Sequence, residues 1–147
     1  MSVRLILAVA FTLAVTAWGQ NHADREKLLG TWLVAEGDGH QTWLLESKGD
    51  VLHVLRTEDG HVTLDVNCKP SGTDCNGLDE GKKVSVSMYF NGPSLVQMET
   101  RDSNVTTRTF SIQAGTDRMT IEVKPITGPG KPYTLPLTRQ VQAAAHE

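Results

Sequence analysis

Two features at opposite ends of the chain limit its fold more than anything between them: Gly30-Thr31-Trp32 near the start and Arg139 near the end. A guanidinium laid across an indole ties the first extended segment to the last, which is how an antiparallel sheet curls into a barrel and loses its open edges. The intervening sequence supports closure, because apolar and polar residues alternate with a period of two and turn signals recur every eight to twelve residues or so. These patterns predict an all-β protein, an antiparallel up-and-down meander barrel of about eight to ten strands. Helical signals are confined to a short turn from His22 to Leu29, capped by Asn21 and stopped by Gly30.

Extended segments are expected near 30–36, 41–47, 50–57, 61–68, 82–90, 94–101, 105–113, 117–125 and 132–139. Turn chemistry sets their registers. Asp59-Gly60 suits a type I′ turn that sets Leu55 against Leu64 and His53 against Val66, so Val62, Leu64, Val66, Leu55 and His53 share the inner face. A one-residue slip turns His53 outward. Gly115-Thr116 suits a type II′ turn that sets Ile112 against Met119, Phe110 against Ile121 and Arg108 against Val123, pointing Arg108 inward. A three-residue loop Asn91-Gly92-Pro93 places Val96 and Met98 on the face of Val84, Val86, Met88 and Phe90.

Residues 1–19 read as an export signal: Arg4 supplies the positive end, Leu5 to Val15 the apolar stretch, and Ala17-Trp18-Gly19 the small residues before cleavage. The stretch is too short for a membrane anchor, and no cysteine follows to take a lipid. The expected product is a secreted or periplasmic monomer, with one domain over 20–141 and a disordered tail over 142–147. Its charge of -3 becomes -4 once Arg4 is lost, and it carries no basic stripe, so nucleic acid and membrane surfaces are poor partners. Cys68 and Cys75, the only cysteines, fit a disulfide in an oxidising compartment better than a redox or metal pair. Asn104-Val105-Thr106 is formally a glycosylation acceptor.

Gly30-Thr31-Trp32, Tyr89-Phe90-Asn91-Gly92 through Leu95-Val96, and Leu135-Pro136-Leu137-Thr138-Arg139, in that order along a chain of this length, resemble the calycin superfamily of lipocalins and fatty-acid-binding proteins. Within it the sequence is most similar to small exported bacterial lipocalin-like proteins of unassigned function. The resemblance spans nearly all of 20–141. It implies a barrel in which Gly30, Trp32 and Arg139 are structural residues at the closed end, and a small hydrophobic ligand as partner. The chain lacks the Thr-Asp-Tyr motif of typical lipocalins and the Arg-x-Tyr of fatty-acid binders in its last strand.

Under these registers His53 and Arg108 are isolated polar groups facing an apolar interior, where a charge needs a partner. One partner is a ligand carboxylate, with Tyr133 adding a hydroxyl at the mouth and Trp43, Met88, Phe90, Met98 and Met119 adaptable apolar surface. The alternative is internal: Arg108 pairs with Glu99 on the adjoining strand, and the histidine is simply satisfied. The acidic run Asp74, Asn76, Asp79 and Glu80 lacks calcium-loop spacing and reads as a solvated loop. Gly128-Pro129-Gly130-Lys131 lacks the residues and helix of a phosphate loop. No catalytic constellation, metal set or cofactor motif is recognisable, so the sequence indicates a non-catalytic binder. The second reading is a secreted interaction or inhibitor protein that docks through Leu33, Leu44, Leu52, Val54 and Leu95 on its outer face. A roomy apolar cavity would mark the carrier, and a filled interior beside an exposed apolar strip the docking protein.

Overall fold

The computed structural model describes residues 17–35 and 40–141; the reading of the leader falls largely, and that of the 142–147 tail wholly, outside them. Helix α1 (Ala17–Glu26) precedes ten antiparallel strands: β1 (Gly30–Val34), β2 (Gln41–Lys48), β3 (Val51–Glu58), β4 (His61–Cys68), β5 (Cys75–Asp79), β6 (Lys82–Asn91), β7 (Ser94–Arg101), β8 (Asn104–Ile112), β9 (Arg118–Thr127) and β10 (Tyr133–Arg139). Each strand pairs with its sequence neighbours and β1 pairs with β10, so the meander closes into a barrel. The helix starts earlier than the sequence predicts and runs across the expected cleavage point after Gly19.

Closure rests on Trp32 and Arg139, which are directly opposed across β1 and β10. The guanidinium lies 4.2 Å from the centre of the indole. It also donates to the carbonyls of Leu29 (2.8 Å) and Lys27 (2.7 Å), and the indole Nε1 donates to Leu28 O (2.9 Å). Carbonyls that the chain leaves unpaired on its way out of α1 are thereby satisfied, and Leu28 is buried beneath the barrel. Gly30 is required on two grounds: its φ is +130°, and a Cβ there would sit 2.8 Å from Arg139 Nη1.

Three registers decide which residues face inward. The Gly115 hairpin keeps the register read for it, with Ile112, Phe110 and Arg108 opposite Met119, Ile121 and Val123, although the turn is longer than two residues. The Asp59-Gly60 hairpin does not. Both turn residues have positive φ as type I′ requires, but a bulge between Arg56 and Thr57 leaves Thr63 as an extra residue on β4. Beyond it every pair slips by one, so Arg56 opposes Leu64 and His53 opposes Asn67. Arg56, Val54 and Leu52 therefore point inward, while His53, Leu55 and Val62 lie on the outer face.

At β6–β7 the connection is a two-residue Gly92-Pro93 turn rather than a three-residue loop. Gly92 takes φ +58° and proline fixes the next φ negative, the combination a type II′ turn needs. Leu95, Gln97 and Glu99 consequently face inward, and Val96 and Met98 outward. The strand β5 occupies residues read as a loop, and the Cys68–Cys75 disulfide joins its start to the end of β4. Glu80-Gly81, both at positive φ, turn it into β6.

The core fills the barrel. Val86, Met88, Gln97, Phe110, Met119 and Ile121 have no surface within reach of a water-sized sphere, so no lumen wide enough for an acyl chain runs between them. At Gly77 a Cβ would come within 2.8 Å of Val66 Cγ2, which leaves β5 no room for a larger side chain.

Arg139→Met retains the stem over the indole and loses the charge and both hydrogen bonds. It is expected to cost about 2–4 kcal/mol in urea unfolding, with Arg139→Lys intermediate. Gly77→Ala is expected to cost about 1–3 kcal/mol by overpacking.

Candidate functional site

The β1-side of the molecule, where α1 packs, is the helix end; the turns after β3, β5 and β7 lie at the opposite, far end. Strand alternation brings a ring of charge into the barrel near this far end. Arg56 from β3 donates from Nη2 to Asp79 Oδ1 of β5 (3.1 Å) and from Nε to Thr63 Oγ1 (2.9 Å). Arg108 from β8 donates from Nη1 to Glu99 Oε2 of β7 (3.0 Å). All four charged side chains are buried or nearly so. Asp79 is also within hydrogen-bonding reach of Glu99, so the two acids link the two arginines into one chain.

Trp43 stands between the arginines, 5.5 Å from the Arg56 guanidinium and 6.0 Å from that of Arg108, and meets Phe110 edge-on at 5.6 Å. Its Nε1 donates to Gln41 Oε1 at 2.9 Å. Gln97 lies directly across from Arg108 and Met88 on the same inner row. Both of its amide atoms are buried without a hydrogen-bond partner, as is Glu99 Oε1. Such groups cost free energy unless something satisfies them, which makes this ring the unresolved part of an otherwise apolar core.

Burial pushes the Glu99 carboxyl above its ordinary pKa, helped by the hydrogen bond and charge of Asp79, while Arg108 pulls the other way. A cleft of about 260 Å³ opens onto this group from the far end, bordered by Asp79, Glu99, Arg101, Asn104, Thr106 and Arg108. A second cleft of about 250 Å³ lies at the helix end over Leu29, Val51, Leu52, Pro70 and Phe90. Arg25 spans its edge, donating to Gly92 O (2.9 Å) with its guanidinium 4.6 Å from the Phe90 ring centre.

The residues singled out in the sequence are therefore divided. Trp43, Met88 and Arg108 meet the interior, and Tyr133, which shares the Arg108 row through Val123, is 55% exposed at the far-end rim. Phe90 lies near the helix end, away from the charged ring. His53 is on the outer wall, with Nε2 2.8 Å from Asp65 and Nδ1 3.6 Å from Glu46. Of the proposed outer patch, Leu52, Val54 and Leu95 are buried in the core, so that patch does not exist as read. Arg56, Asp79 and Gln97 are the residues that sequence reasoning missed. The Glu80-Gly81 pair is a turn signal from which β5 and Asp79 were readable, whereas nothing local announces the bulge that turns Arg56 inward.

Among the described residues, no set of three His, Cys, Asp or Glu side chains converges to hold a metal, and no helix is long and apolar enough to cross a membrane. No protein-family model matches the chain, and no curated protein matches it in sequence. Solved structures do match in shape. Fatty-acid-binding protein 1 of Echinococcus granulosus superposes with a TM-score of 0.67 at 10% identity, over 79% of this chain and 99% of that one. A secretory abundant heat soluble protein of Ramazzottius varieornatus gives 0.66 at 12% identity, over 78% and 96%. The Schistosoma mansoni fatty acid binding protein in complex with arachidonic acid gives 0.63 at 15%, over 80% and 99%. The fold is calycin-like.

Because the folded Glu99 holds its proton to higher pH than a free glutamate, the native state binds more protons than the unfolded one as pH climbs above about 4.5. Stability is therefore lost with rising pH through that interval. Glu99→Gln removes this dependence: its melting temperature relative to wild type is expected to rise from acid to neutral pH, with the two converging at low pH.

Proposed function

We propose that this chain is an exported, non-catalytic barrel that binds a small amphipathic molecule, seating an anionic head on Arg108 at the floor of the far-end cleft. The observation that carries this reading is the charged ring itself. Buried ion pairs stabilise a fold no better than well-packed apolar residues do, and this one adjoins a glutamine amide with no protein partner. An oxyanion arriving beside Arg108 gives the Gln97 N–H the partner it lacks.

Two further points support it. Proteins of the same shape are described as fatty-acid binders, one of them holding arachidonic acid. The leader motif and the Cys68–Cys75 bridge fit a secreted or periplasmic protein, akin to small exported bacterial lipocalin-like proteins. The packed interior then sets the manner of binding. The cleft admits a head group and a short tail, and a longer tail advances only as Met88 and Met119 change rotamer, which unbranched methionine does at low cost. Monomeric action suits a barrel whose own edges are all paired.

A second reading, docking of a protein partner on the outer wall, has one specific support besides the filled interior. The outer face of β6–β8 carries Ser87, Tyr89, Val96, Met98, Thr107 and Thr109 with no charged side chain among them.

Native mass spectrometry of protein purified from its source, with extraction of bound molecules, is expected to recover an anionic amphipath. Titration with decanoate is expected to change tryptophan emission through Trp43, and Arg108→Gln to weaken binding about tenfold to a hundredfold. An empty protein that also ignores a panel of carboxylate lipids would overturn the carrier reading in favour of the docking one.

A further inference from the structure

The ion pair that would hold the ligand is already made, so an incoming anion must compete with Glu99 for Arg108. Where Glu99 goes is the open question, and the geometry restricts the answer. Its side chain is 5% exposed, its Oε1 has no partner, and it cannot swing into water as a charge without leaving β7's inner face. The groups facing it are Asp79 from β5, Arg108 from β8, Arg56 beyond Asp79 from β3, and Arg101 and Asp102 at the cleft rim on its own side. Of these, Asp79 alone is an acceptor within hydrogen-bonding reach.

We infer that an anion settling on Arg108 displaces Glu99, and that Glu99 accepts a proton from solvent and donates it in a hydrogen bond to Asp79, so that the site takes up one proton with each anion. This rests on the reading of the far-end cleft as an anion site. The step balances: one negative charge enters with the ligand, one is neutralised on Glu99, and the interior keeps its total charge. Desolvation makes any other outcome costly, because it would leave three anionic groups against two guanidiniums in a low-dielectric core. Occupation of Arg108 also withdraws the one influence that favours ionised Glu99, its pairing and attraction to that arginine.

Decanesulfonate is the discriminating probe, since it stays ionised and cannot carry the proton itself. Calorimetric titration of the full chain, in two buffers of different ionisation enthalpy from about pH 5 to about pH 8, counts protons directly. Uptake approaching one proton per sulfonate is expected at the upper end, with affinity falling by up to about tenfold per pH unit. In Glu99→Gln, whose amide donates to Asp79 at every pH, uptake is expected to vanish and affinity to stay at the wild-type acid-side value. Sulfonate and decanoate that bind with no proton uptake would overturn the coupling and leave the anion site standing, as would a Glu99→Gln protein that still takes up the proton. Failure of both probes to bind at any pH overturns the site and the coupling together. The proton count on the wild-type protein decides the matter even if the variant does not fold.

Discussion

A single stack of guanidinium on indole makes the sheet a barrel. Without the β1–β10 ladder that Arg139 over Trp32 reinforces, β1 and β10 would be two free edges, and an edge exposes unpaired amides and carbonyls to any strand that passes. The stack also does a second task, because the same guanidinium and the indole N–H hold the carbonyls of Lys27, Leu28 and Leu29 and so fix α1 across one end. Closure and capping are thus one event. No such cap covers the far end among the described residues, and there buried charged side chains meet solvent through a cleft.

The sequence made this architecture legible because its strongest signals are local or terminal. Gly30, Trp32 and Arg139 occupy the positions that closure demands, and the Gly115 hairpin keeps its register since no residue is inserted beyond the turn before Arg108. Errors arose where one residue changes everything. Thr63 bulges out, its carbonyl taken by Glu80 N at 2.8 Å and its hydroxyl by Arg56, and that single insertion exchanges the faces of His53 and Arg56. A two-residue turn at Gly92-Pro93 exchanges Val96 and Met98 for Leu95, Gln97 and Glu99 in the same way. Both outcomes place polar groups where apolar ones were available, and periodicity has no means of anticipating that.

Why the apolar choice lost can be argued at each site. Arg56 turned outward would leave Asp79 as a buried carboxylate with no cation from β3, beside Glu99. With Val96 and Met98 inward, Arg108 would lose Glu99 and stand alone in the core. The four charges therefore depend on one another across β3, β5, β7 and β8, and the bulge and the tight turn are the backbone features that let them meet. Removing one member leaves another unpaired, so the group behaves as a unit.

Such a unit occupies barrel volume that hydrocarbon would fill at least as stably, and it does so at the floor of a cleft that opens at the far end. The apolar remainder is packed too tightly to admit a molecule unaided. These two facts fit the proposed binding: the tight core maintains the fold by itself, while the polar ring is the part whose interactions an anion would improve. Gln97 shows this most directly. An amide with four hydrogen-bonding positions, fully enclosed and paired to nothing else in the protein, carries an unmet desolvation cost, and that cost is what the proposed anion at Arg108 would relieve at its N–H.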